Sequence, residues 1–151
     1  MDLIFANGIT LEDINRYEAA LKNEYMDNLV STGLSILPVI DQNLSGKQIK
    51  IKEGFIPKAL LLDLHDVLTH SMISHTKGLA LKFTWTNYDY EEAYFLAHAL
   101  YEYAEKNDLN FHIVILEKED AIDVHRKSSK LQIVTKLKKT DKYKIIKEKK
   151  D

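Results

Sequence analysis

The sequence predicts one α+β domain over residues 1–151, a mixed β-sheet packed by about three helices. Residues 79–86, Leu-Ala-Leu-Lys-Phe-Thr-Trp-Thr, put Leu79, Leu81, Phe83 and Trp85 on one face and Ala80, Lys82, Thr84 and Thr86 on the other, which is strand spacing. Residues 111–116, Phe-His-Ile-Val-Ile-Leu, are apolar on both faces, as in a central strand. Between the two the apolar period is helical, so a right-handed strand–helix–strand crossover and a parallel pair are expected. A chain of 151 residues suits one core, and 45% hydrophobic content is ordinary for a globular domain.

Thr10-Leu11-Glu12-Asp13 reads as a capping box. Leu11, Ile14, Tyr17, Leu21, Tyr25 and Leu29 then follow helical spacing, predicting a helix over about 11–31 closed near Gly33. Glu18 falls inside that stripe and is expected to pack its stem and reach Lys22. Residues 34–53 read as a hairpin, with Pro38 forcing its first strand to a sheet edge. Pro57 suits the start of a second helix running through Ser74 and stopping at Gly78. Asp89, with Glu92 three residues on, opens a third helix to about Asn107. Its inner stripe is Ala93, Leu96, Ala97, Leu100 and Ala104, with Tyr90, Tyr94 and Tyr101 beside it. Residues 121–126 and 130–137 read as short antiparallel strands, and 142–151 as a last strand or a charged tail.

No apolar run approaches the roughly 20 residues that cross a bilayer, and the first residues lack the basic segment of a secretory signal. The chain has no Cys, hence no disulfide, thiolate nucleophile or Cys-based zinc site. A cytoplasmic location without membrane contact is expected. Nineteen Lys stand against two Arg, Arg16 and Arg126, which suggests a low-GC genome, that of a bacterium or its phage. Lysine is a point charge and lacks the bidentate fork with which Arg reads guanine, so sequence-specific DNA reading is disfavoured. Residues 126–151 hold eleven Lys/Arg and three Asp/Glu, a net charge of +8, whereas residues 1–125 carry −10.

Residues 64–75, Leu-His-Asp-Val-Leu-Thr-His-Ser-Met-Ile-Ser-His, hold three of the six histidines. On one straight helix Asp66 and His70 meet a turn apart, while His65 and His75 point away from His70. Asp66 and His70 are therefore the catalytic candidates of this segment, which otherwise reads as a polar helix face; no HExxH motif is present. His112 and His125 sit on strands, but Val114 and Lys127 stand where the HxT or HxS motif of two-histidine phosphoesterases needs a hydroxyl. Both read as structural histidines. Glu117-Lys118-Glu119 displaces the lysine of a nuclease Glu-x-Lys pattern. There is no GxGxxG, Walker A or GxSxG.

Binding candidates are Lys138, Lys139, Lys142 and Lys144 in the basic end, and the aromatics Phe95 and Tyr103 off the inner stripe of the third helix. The expected function is that of a small cytosolic binding protein acting by protein–protein interaction: an inhibitor, adaptor or immunity-type protein, phage- or mobile-element-encoded. A homodimer is the simplest use of an aromatic surface. Nucleic-acid binding through the lysine-rich end is the first alternative. A metal-dependent hydrolase using Asp66 and His70 is the second. Neither a metal nor another cofactor is expected.

Overall fold

Alternating apolar side chains build a six-stranded sheet, with one face closed by helices and the other carrying the polar groups that matter below. A computed structural model describes residues 3–16, 23–64, 69–140 and 142–150, with the backbone alone for Asn23, His70 and Ser71. The helices are α1 (Leu11–Ile14), α2 (Asn23–Asn43), α3 (Lys58–Leu64), α4 (His70–His75) and α5 (Tyr90–Lys106). The strands are β1 (Ile49–Glu53), β2 (Ala80–Trp85), β3 (His112–Leu116), β4 (Ala121–His125), β5 (Gln132–Lys136) and β6 (Tyr143–Glu148). They lie in the order β1-β2-β4-β3-β5-β6. Only β3 and β5 pair in parallel; the other neighbours are antiparallel.

The α+β class and mixed sheet thus hold, and the crossover through α5 joins β2 to β3. The two strands run the same way but are not neighbours, because β4 lies between them and pairs antiparallel with both. The hydrogen-bonded parallel pair is β3 with β5 instead. β4 is short and almost wholly buried, so it gains by having a partner on each side. Within the segment left open between strand and tail, Tyr143–Glu148 form β6 at the sheet edge.

Leu81, Phe83, Ile113, Ile115, Ile122, Val124 and Ile133 face α2 and α5 and form the main core. From α5 the buried stripe is Ala93, Leu96, Ala97, Leu100 and Ala104, joined by Tyr101. Alanines let the helix sit close on the sheet. Asp89 caps α5 by accepting from the Glu92 N–H at 3.4 Å. Asp89→Ala is expected to lower stability by about 0.5–1 kcal/mol in urea unfolding, with unchanged m-value.

Four sequence expectations fail. The capping box at Thr10 and Asp13 forms, but α1 lasts one turn and ends at Asn15. Glu18 and Lys22 lie outside the described residues. Gly33 is not a stop either, because α2 runs through it, and a Cβ there would lie 2.6 Å from the Phe5 ring.

The proposed edge strand around Pro38 is helix as well. Leu29, Ile36, Leu37, Ile40 and Leu44 are buried at helical spacing, and that stripe outweighs one proline. Pro38 and Leu34, whose carbonyl loses its donor, both lie on the exposed side, where water can serve that carbonyl.

The long helix after Pro57 is described as two pieces, α3 and α4. Thr69 is extended and caps α4, its side chain accepting from the Met72 N–H at 3.2 Å. The chain then turns at Gly78, at φ +72°. A fresh helix start re-aims everything after it, including His75.

Candidate functional site

In β4, strand alternation puts Ala121, Asp123 and His125 on the sheet face opposite α2 and α5. His75, the last residue of α4, reaches that face from above. Its Nε2 lies 2.8 Å from Asp123 Oδ1, and His125 Nε2 lies 3.1 Å from Asp123 Oδ2. All three residues are buried, Asp123 at 4% exposure. His112, opposite His125 on β3, places its ring 5.5 Å from that of His125.

The backbone holds His75 in place. Its Nδ1 donates to the Gly54 carbonyl at 2.7 Å, and its own carbonyl accepts from the Ile56 N–H at 3.3 Å. Gly54 can lie there because it has no side chain: a Cβ would fall 2.2 Å from the Ile14 carbonyl oxygen. The next N–H, of Phe55, donates to that same oxygen at 2.8 Å.

A carbonyl and an ionised carboxylate only accept, so this geometry favours a His75 that donates from both nitrogens, the imidazolium form. Burial alone would push its pKa down, but the Asp123 charge and the hydrogen bonds to Asp123 and Gly54 outweigh burial and raise it. Burial would likewise raise Asp123, yet the His75 charge and hydrogen bonds from both histidines hold its carboxyl far below the usual range. Each Asp123 oxygen accepts from one imidazole.

Beside it opens a cavity of about 290 Å³ between the sheet, α3 and α4. His75 and Asp123 line it, with Glu53, Lys82, Glu119 and Lys136 around them. Lys82 pairs with Glu119 at 2.8 Å, and the Lys136 ammonium sits over the Tyr143 ring. The Glu53 Oε1 atom is buried with no hydrogen-bond partner among the described residues. Burial raises the Glu53 pKa, against the opposing pull of His75, Arg16 and Lys82.

Of the sequence candidates, Asp66 lies outside the described residues, and His70 is described by its backbone alone, as the first residue of α4. Phe95 is 63% exposed and packs edge-on against Tyr94. Tyr103 is half-buried and packs against Phe111 and the core. Lys138, Lys139, Lys142 and Lys144 are all exposed, the first two in the β5–β6 turn. Lys144 shares a shallow groove with Tyr90, Tyr94 and Ile145, which brings the basic end beside the aromatic face of α5.

Helical spacing within residues 64–75 points His75 away from His70, and nothing in it singles out Asp123. The available signal was Asp-x-His on a short apolar strand, which necessarily puts both groups on one face. No family model, curated protein or solved structure matches the chain. Among the described residues no helix is long and apolar enough to cross a membrane.

Proposed function

We propose that this chain is a binding protein that grips an acidic, extended segment of another protein along β6 and the neighbouring face of α5. One observation supports this above the others. Tyr90, Tyr94 and Ile145 are large, apolar and exposed and border one groove together with Lys144, and the exposed Phe95 packs edge-on against Tyr94 beside it. Scattered exposed apolar residues need no explanation, whereas a contiguous group beside a free sheet edge does.

β6 ends the sheet, so one row of its backbone groups faces no strand among the described residues. Such an edge takes an added strand, with main-chain hydrogen bonds giving affinity and the aromatic rim giving selectivity. Lys144 and Lys147 in β6, with Lys138, Lys139 and Lys142 before it, favour acidic side chains in that strand. The same excess of lysine disfavours a second copy of this chain, whose β6 carries the same net positive charge. Nucleic acid is disfavoured by the scarcity of Arg and by Tyr143 being the one aromatic in β6.

The test is capture of a partner from the native host, followed by measured affinity of the identified protein. Phe95→Ala and Lys144→Glu should each weaken it, and β6 amides should gain hydrogen-exchange protection in the complex. Submicromolar binding to unrelated DNA or RNA at about 150 mM salt, insensitive to Phe95→Ala, would instead assign the surface to nucleic acid. A dimer whose interface protects β6 would assign it to self-association.

A further inference from the structure

We propose that His75, Asp123 and His125 form a binding site for a first-row divalent transition-metal ion, with Glu53 completing it from the cavity side. The site is separate from the α5–β6 surface and does not depend on it.

The donor set is two imidazole nitrogens and a carboxylate, and the ligating atoms all lie within 4.8 Å of one another. That set suits zinc, and with open positions suits manganese, iron or cobalt. The spacing fits too. Neighbouring ligands at right angles around an ion with bonds of about 2.1 Å are about 3.0 Å apart. Here the two nitrogen–oxygen separations are 2.8 and 3.1 Å. The ion would sit off those two lines, toward the cavity, and the rings would turn slightly to aim at it.

The surroundings are those of a ligating histidine. A metal-bound imidazole usually gives its other N–H to a carbonyl or carboxylate, which fixes the ring and the tautomer. His75 does this with its Nδ1 and the Gly54 carbonyl, leaving Nε2 toward Asp123. Gly54 is held at that place by close contact with Ile14.

Charge explains the part of Glu53. An ion of charge +2 replaces the Nε2 hydrogens: the His75 proton passes to solvent, and His125 exchanges its Nε2–H for an Nδ1–H. Two neutral imidazoles and one carboxylate then leave a surplus of one positive charge. The ionised Glu53 cancels it. Glu53 Oε1 is the buried carboxylate oxygen left without a hydrogen-bond partner among the described residues, and it borders the same cavity as His75 and Asp123. A purely structural His–Asp–His cluster accounts for the three partners but leaves that oxygen unexplained. The cavity also supplies an entry path and room for water or a small ligand at the remaining positions.

The experiment uses the whole chain, stripped with a chelator and titrated separately with cobalt(II) and zinc(II). One equivalent of cobalt should bind saturably and give visible ligand-field absorption, and zinc should displace it. Either metal should raise the thermal midpoint. Glu53→Gln should weaken affinity by about tenfold or more while the circular dichroism spectrum is kept. His98→Ala, on the exposed side of α5, should change nothing. Failure of the unaltered chain to bind either metal saturably up to about millimolar concentration overturns the proposal, whether or not the variants fold. So does one-equivalent binding of equal affinity in Glu53→Gln and His125→Gln.

Discussion

Asp123→Ala lowers stability by about 3–5 kcal/mol at neutral pH, read from urea unfolding, whereas Asp123→Asn costs about 1–2 kcal/mol. The alanine variant strands two imidazole donors in a buried site and removes the carboxylate paired with the His75 imidazolium. The asparagine variant keeps both contacts in altered form. Its oxygen accepts from His125 Nε2–H, and its amide donates to a now neutral His75, which still donates from Nδ1 to Gly54. Only the charge assistance is lost.

The pH dependence separates the two states of the pair. His75 is raised in the fold, so its contribution is complete below its unfolded value of about 6.5 and is lost as pH rises through the folded value. Asp123 is lowered, so its contribution is present above about 3.9 and is lost as pH falls through the folded value. The pair therefore stabilises most between those limits. Glu53, raised by burial, adds its own decline on the alkaline side of the carboxylate range. In Asp123→Asn the buried His75 prefers to be neutral, so its contribution to stability should increase as pH rises toward about 6.5, whereas in the unaltered chain it is level there and declines above that value. Equal pH profiles for the two chains would show that no ion pair forms between His75 and Asp123.

Some of this structure could be read from the residues and some could not. α5 and β2 were legible because each has one buried stripe with one period and, for α5, a capping aspartate. β4 inserting between β2 and β3 was not, since strand order depends on which short apolar strand gains two partners, and local pattern says nothing of that. Pro38 misled because a single breaker is visible in a sequence, while its position on the dry or wet side of a helix is not. The site failed for a related reason. Treating residues 58–74 as one straight helix turned His75 away from its neighbours; the fresh start at Thr69 points it into the sheet. Asp123 and His125 could have been paired from strand alternation alone, but their partner arrives from 48 residues away in the chain.

Gly54→Ala is the second substitution expected to have a large effect, about 3 kcal/mol or more. The added methyl would meet the Ile14 carbonyl oxygen at 2.2 Å and the Ile14 carbonyl carbon and Cα at 2.8 Å. These are backbone atoms, so no side-chain rotation relieves the contact, and the segment after β1 must separate from α1. Separation stretches the Phe55 N–H bond to Ile14 and withdraws the carbonyl that orients His75. Gly46→Ala is the contrast. Nothing lies within 4 Å of a Cβ there, but Gly46 has φ +80°, so its cost is one of backbone conformation, about 1 kcal/mol. Loss of the Gly54 carbonyl should also free the His75 ring, so that its imidazole proton signals broaden in Gly54→Ala and stay sharp in Gly46→Ala. Equal midpoints for the two variants in urea would mean that Gly54 does not hold α1 against the sheet, and that the placement of His75 rests on Asp123 alone.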